Sequence, residues 1–300
     1  MLVRTLIVGA GATGGHFGGL LAAAGRDVTF LVRPGRAAEL AERGLRLDEI
    51  TLTPRTVTAD TLDGRYDLVL LAVKSYHLDQ ALADVAPAVG PRTVVIPLLN
   101  GMRHVDRMVA AFGPERAWGG VCMIHADVTP DGRIVRMTDL QRIAFGPLGG
   151  GTGDPRVADA LAGAGFDAFA TPTVVQDMWE KWVFLASLGA ATTLMRAPVG
   201  DINRAPGGTA FGARIAAEAM AIATAAGHPP RPGAVKVLRD GLATDEQMTS
   251  SMYRDMMRGE PVEVDAILGD FVAEADRHDV PVPALSAAYT NLAIYAARLA

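Results

Sequence analysis

The chain has 300 residues, half of them hydrophobic, and this length suits two domains of about 150 residues better than one core. A formal net charge of −5 provides no basic field for a nucleic-acid backbone or an anionic membrane surface, so neither is an expected partner. The single Cys122 cannot form an internal disulfide, and the six histidines lack metal-ligand spacing, which fits a reducing cytoplasm and no metal site.

The first half alternates apolar runs with helical stretches. Apolar runs at 2–8 and 27–32 enclose a helical stretch, which is the pattern of a βαβ unit. Further strands are predicted at 68–73 and 93–99, with a helix at 78–89 between them. This pattern predicts a doubly wound, Rossmann-like α/β domain.

The end of this domain is predicted to be a hairpin, with strands at 120–126 and 133–136 around the turn sequence TPDG. One more helix and strand follow a glycine-rich stretch. From Val174 the sequence is alanine-rich and helical, so an all-α second domain is expected. We place the domains at 1–172 and 173–300, and a boundary in the glycine-rich stretch 146–155 is the alternative. The longest uncharged apolar stretch, 182–195, is shorter than the ~20 residues of a membrane span.

A GxGxxG motif lies between the first strand and the first helix. In this setting its glycines allow a tight turn, close approach of a pyrophosphate and close helix–strand packing. The alternative is a glycine turn without a ligand. The predicted cofactor-binding residues are Gly9, Ala10, Gly11, Ala12, Thr13 and Gly14.

The second strand ends in Arg33, where an NAD-specific site commonly has an acidic residue, and Arg36 follows. A cation at this place suits the 2′-phosphate of NADPH, so NADPH is the predicted cofactor. The alternative is a pair of solvated loop charges.

Two other strands also end in polar residues, at the sheet edge where parallel sheets bind ligands. Lys74 follows one strand, and Asn100 with Gly101 follows the next. Asn100 is able to donate to a carbonyl or carboxylate, although Asn-Gly is also an ordinary turn sequence. Lys74 is either a ligand contact or a loop cation.

Lys181 is the last charge before Arg196 in a long apolar helix, and it is one of only three lysines in the chain. Partial desolvation would lower the pKa of its ammonium and make it a better proton donor to a nascent alkoxide. Glu263 opens a later helix and could pair with it. The alternatives are a lysine that extends its ammonium to solvent and an acid that complements a helix N-terminus.

Taken together, the motifs resemble the ketopantoate reductase (2-dehydropantoate 2-reductase) family over nearly the whole chain. The matching segments are GAGATG, AVKSYH, LLNGM, WEKW, SSM, GEPVEVD and VPVPALSAAY. The resemblance implies an NADPH-dependent oxidoreductase that reduces a small 2-oxo acid, in the family's case ketopantoate for pantothenate and coenzyme A biosynthesis. It also implies a homodimer.

Residue by residue, the resemblance makes Lys181 the catalytic lysine and Glu263 the acid of the site. Asn100 would position substrate and also contact the cofactor, Ser251 would bind the substrate carboxylate, and Lys74 would face cofactor or substrate. Arg33 would contact the 2′-phosphate.

The chain departs from the family pattern on one helical face. Asn residues are typical four and eight positions after the catalytic lysine, and here those positions hold Leu185 and Gly189. We expect both to line the substrate pocket and to change its specificity, because two hydrogen-bonding groups are lost. A paralogous reductase of another 2-oxo acid is therefore an alternative.

An alternative from another functional class is an NADPH-sensing binding module without turnover, although a sensor would need neither Lys181 nor Glu263. A hydrolase is disfavoured because the sequence has no GxSxG motif.

Overall fold

The computed structural model describes residues 3–299. Two compact units are present: Met1–Leu99 with His104–Val175, and Asn100–Arg103 with Gln176–Ala300. The four residues from Asn100 to Arg103 therefore group with the second unit, although they lie between elements of the first. The domain limits at residue 172 stay a prediction.

The strands and helices of the first unit alternate along most of its length. The strands are β1 (Thr5–Val8), β2 (Val28–Leu31), β3 (Leu45–Leu47), β4 (Ile50–Leu52), β5 (Arg55–Val57), β6 (Tyr66–Leu71), β7 (Val89–Pro97), β8 (Trp118–Val128), β9 (Ile134–Pro147) and β10 (Asp167–Ala170). The helices are α1 (Ala12–Ala23), α2 (Pro34–Arg43), α3 (Leu78–Val85), α4 (Arg103–Phe112) and α5 (Pro155–Leu161).

The first sheet is parallel, in the order β5-β2-β1-β6-β7. The chain starts in the middle of this sheet and proceeds to both sides, which is the doubly wound arrangement. Because side chains alternate across a strand, Leu6 and Val8 enter one hydrophobic core while Ile7 enters the other. The predicted Rossmann-like fold of this unit is confirmed.

Helix α1 is buried on opposite faces because it lies between two sheets. A Cβ on Gly18 would lie 2.7 Å from the ring of Phe30 in the first sheet, and one on Gly15 would lie 2.4 Å from Ile134 in the second. Only glycine allows both sheets to approach this closely. This packing explains why α1 has no polar face.

The predicted hairpin is part of a larger second sheet. Strands β8 and β9 pair antiparallel, as expected, but β9 also pairs with β10 and β3, and β3 pairs with β4. The ribbon extends beyond the predicted ranges in both strands. Strands β3 and β4 have three residues each and are too short for an alternating pattern to identify them.

The second unit is helical, as predicted. Its elements are α6 (Val174–Met195), α7 (Val199–Arg204), α8 (Gly208–Ala225), α9 (Pro232–Leu242), α10 (Ser251–Met257), a π-turn (Asp265–Gly269), α11 (Asp270–Arg277) and α12 (Pro283–Ala297).

A buried carboxylate supports the helix packing in this unit. The carboxylate of Glu218 in α8 accepts hydrogen bonds from the amides of Ala284 and Leu285, at 2.9–3.1 Å, and so caps the first turn of α12. None of the helices within residues 3–299 has the length and apolar character needed to cross a membrane. No cluster of three His, Cys, Asp or Glu side chains suited to a metal ion occurs in the same range.

Candidate active site

The glycines of the GxGxxG loop have different structural roles. Gly9 has φ +96°, which L-residues rarely adopt, and its Cβ would lie 3.0 Å from the carbonyl oxygen of Ala72. A Cβ on Gly14 would lie 2.1 Å from the carbonyl oxygen of Gly9. These two glycines are required by the fold itself, because the loop, α1 and the end of β6 pack against each other there.

Gly11 differs from both neighbours. It is exposed, and no described atom lies within 4 Å of the position that its Cβ would occupy. It is also the N-cap of α1, with no side-chain capping bond and no acidic residue in the first turn. Uncapped amides facing open space at a helix N-terminus fit a pyrophosphate, so the loop is suited to a dinucleotide.

Arginines of α2 and of the end of β2 flank this loop. The Arg36 guanidinium donates a 3.0 Å hydrogen bond to the carbonyl oxygen of Ala10 and pairs with Glu39 at 2.7 Å. Arg33 is exposed and forms the N-cap of α2. Burial and the positive charge of Arg33 lower the pKa of His77, which places these two basic groups near each other. The region is therefore cationic, as a phosphate requires.

Lys74 lies beyond the carboxyl end of β6, as predicted. It is half-buried and immediately precedes a 3₁₀ turn formed by Ser75–His77. Lys74 therefore belongs to the same unit as the glycine loop and the arginines.

In the second unit, α6 carries Lys181 in a half-buried position. The preceding residue, Glu180, bonds to Arg231 on one side of the helix. The following residue, Trp182, is 2% exposed and its indole Nε1 donates to the carbonyl oxygen of Ile267 at 3.0 Å. Both neighbours fix the helix, which limits the directions available to Lys181.

The helical face beyond Lys181 is apolar. Leu185 is half-buried one turn later, and Gly189 is buried one turn further. A Cβ on Gly189 would lie 2.2 Å from the terminal methyl of Met252, so this methyl occupies the space that a side chain at 189 would need. Position 189 therefore acts through Met252, which is not among the predicted site residues.

Ser251 opens α10 beside the same face. Its neighbour Ser250 is buried, accepts the amide of Tyr253 at 3.0 Å and lies 2.9 Å from the hydroxyl of Thr192 in α6. These bonds dock the start of α10 on α6, and they leave Ser251 half-buried in its first turn.

Asn100 and Glu263 complete the set in this unit. Glu263 is 6% exposed and immediately precedes Val264, the first residue of the helix that Glu263 was expected to open. Asn100 is half-buried, and its neighbour Gly101 packs on the same helix. The predicted catalytic and substrate residues thus belong to the second unit, and the predicted cofactor contacts belong to the first unit with the exception of Asn100.

Two family models match the chain. The model described as "Ketopantoate reductase PanE/ApbA" covers residues 5–150, and the one described as "Ketopantoate reductase PanE/ApbA C terminal" covers 173–296. The uncharacterized oxidoreductase YkpB of Bacillus subtilis is 32% identical over 98% of this chain and 99% of its own.

Solved structures with the same fold cover nearly the whole chain. A 2-dehydropantoate 2-reductase from Methylococcus capsulatus has a TM-score of 0.86 at 27% identity, over 99% of this chain and 98% of its own. D-mandelate dehydrogenase, solved with NADH and anilino(oxo)acetate, has a TM-score of 0.88 at 20% identity over 99% of both chains. At the latter identity the likeness concerns the fold.

Proposed function

Because the chain belongs to the ketopantoate reductase family, a family of oxidoreductases, we propose that it reduces a small 2-oxo acid, ketopantoate in the first instance, with NADPH. One observation carries the proposal. Asn100, Lys181, Ser251 and Glu263 are far apart in sequence, yet all belong to one compact unit. Each of these side chains has a use in reducing a ketone beside a carboxylate.

The cofactor half of the reaction is assigned to the first unit. The amides at the start of α1 would hold the pyrophosphate at Gly11, and Arg33 with Arg36 would hold the 2′-phosphate. Lys74 would contact cofactor or substrate at the end of β6. When bound, NADPH supplies the hydride.

The chain's own chemistry concerns the substrate oxygen. Lys181 holds a proton at the carbonyl oxygen, stabilises the negative charge that develops there, and transfers the proton to give the hydroxyl. Glu263 orients Lys181, while Asn100 and Ser251 bind the carbonyl and carboxylate. The buried position of Glu263 suits a role in orienting Lys181.

A second candidate substrate is a 2-oxo acid with a more apolar side chain. Leu185 and the methyl of Met252 present hydrocarbon beyond Lys181 and offer no partner for a substrate hydroxyl. Ketopantoate carries such a hydroxyl, whereas a branched or aromatic 2-oxo acid does not. Leu185 and Gly189 would then determine specificity, the latter through Met252.

The test is NADPH oxidation with ketopantoate and a panel of branched and aromatic 2-oxo acids, for wild type and Lys181 variants. Lys181→Ala should lower turnover by ~10²- to 10⁴-fold. Lys181→Arg should fail almost as badly, because guanidinium retains its proton. Lys236→Ala is the matched control, since Lys236 is exposed and pairs with Asp240.

Full turnover by Lys181→Ala would contradict the catalytic assignment. NADPH binding by wild type without reduction of any 2-oxo acid would instead favour a nucleotide sensor. The homodimer and the cytoplasmic location stay predictions, and sedimentation of the purified protein would test the first.

A further inference from the structure

The π-turn Asp265–Gly269 is the point where three segments of the proposed site meet. One residue, Val264, separates it from Glu263, and the amide of Ile267 bonds to the carbonyl oxygen of Glu263 at 3.2 Å. The carbonyl oxygen of Ile267 accepts the indole of Trp182, the residue after Lys181. A π-turn redirects backbone groups from the ordinary helical ladder, and such turns are frequent at functional sites.

The third segment is the loop that carries Asn100. Gly101 is buried with φ +79°, and its Cβ would lie 2.2 Å from the carbonyl oxygen of Ala266 in the π-turn. Backbone therefore lies directly on backbone at this place. The contact leaves Asn100 beside the helix start that carries Glu263.

An ion pair fastens the same loop two residues later. Arg103 donates to Oδ1 of Asp270 through Nε, at 3.1 Å, and through Nη2. This bonding raises the pKa of Arg103 against the effect of burial, and Asp265 adds a further negative charge nearby. Oδ2 of Asp270 is buried with no hydrogen-bond partner among the described residues, so the pair with Arg103 is the main compensation for this carboxylate.

We propose that Arg103 is a positioning residue: its ion pair with Asp270 holds the Asn100–Gly101 loop on the π-turn and thereby sets Asn100 relative to Glu263 and Lys181. The inference rests on the proposed function, in which Asn100 binds the substrate. The contact through which Arg103 acts in this proposal is its pair with Asp270. Its effect on the reaction passes through the loop.

The kinetic test compares Arg103→Ala, Asp270→Ala and the double variant with wild type. Because Asn100 would no longer be held in position against the substrate, kcat/KM for the preferred 2-oxo acid should fall by about 10- to 100-fold. The double variant should lose no more than either single variant, because both remove the same pair. Arg103→Lys should retain most activity, and Arg107→Ala is the control, since that arginine lies on the same helix and pairs loosely with Asp79 at 3.8 Å.

A second measurement separates this idea from the proposed function. Amide hydrogen exchange of the segment 98–103 should accelerate in Arg103→Ala and remain at the wild-type rate in Arg107→Ala, whichever substrate is correct. Unchanged exchange would overturn the proposed fastening. Faster exchange with wild-type kcat/KM would overturn the positioning role. If wild type reduces no 2-oxo acid, the proposed function fails, and the exchange data still decide whether Arg103 orders the loop.

Discussion

The substitution Gly11→Ala should separate cofactor binding from folding. Gly11 has φ −85°, a value that any residue adopts, and its Cβ would enter open space. The protein alone should therefore tolerate alanine with little change in unfolding free energy. The gain of about 0.4–1 kcal/mol from reduced freedom of the unfolded chain is offset by the poorer fit of alanine at an N-cap. The bound dinucleotide should not tolerate it, because the added methyl occupies the expected place of the pyrophosphate.

The size of the binding defect follows from the hydrogen bonds that a displaced pyrophosphate loses. One charge-assisted bond contributes about 1.5–3 kcal/mol, so its loss corresponds to a roughly 10- to 150-fold larger dissociation constant for NADPH. Fluorescence titration of NADPH measures this constant, and thermal unfolding of the protein without cofactor measures stability. The affinity for NADPH should fall, whereas the stability of the protein without cofactor should not.

Gly14→Ala is the matched comparison within the same motif. Its Cβ would lie 2.1 Å from the carbonyl oxygen of Gly9, so the backbone must shift and stability should fall by about 1–3 kcal/mol. Two results would refute the assignment of the open space to the pyrophosphate. One is a Gly11→Ala variant that binds NADPH with wild-type affinity, and the other is a lower unfolding temperature for that variant.

Three further predictions concern the arginines, the apolar face and the acid. Arg33→Ala and Arg36→Ala should each weaken the binding of NADPH about tenfold or more and leave the binding of NADH nearly unchanged in parallel titrations. Equal effects on the binding of both cofactors would contradict the 2′-phosphate contact. Leu185→Asn should raise kcat/KM for ketopantoate relative to an apolar 2-oxo acid, whereas Gly189→Asn should lower the unfolding temperature unless Met252→Ala makes room. Glu263→Gln should lower kcat less than Lys181→Ala does, in the same steady-state assay, and an equal loss would point to a direct catalytic role.

Local sequence patterns were enough to predict much of the fold. The alternation of apolar runs and helical stretches predicts the parallel sheet, because parallel strands need crossover helices between them. The long alanine-rich stretch predicts the helical second unit. In the second sheet, the sequence predicted the β8–β9 hairpin and one further strand, β10, but it missed β3 and β4. These two strands have three residues each and are stabilised by their pairing, of β4 with β3 and of β3 with β9, rather than by their own sequence.

The candidate site divides in the same way. Residue types and their order were enough to select Lys181, Glu263 and Asn100, because their chemistry suits a ketone and their motifs resemble one family. The sequence by itself therefore determined the fold class, the family and the residues to test. Only the tertiary structure decided that Met252 fills the space over Gly189 and that Arg103 fastens the Asn100 loop to the π-turn, because both depend on contacts between residues far apart in the chain, which no local pattern encodes.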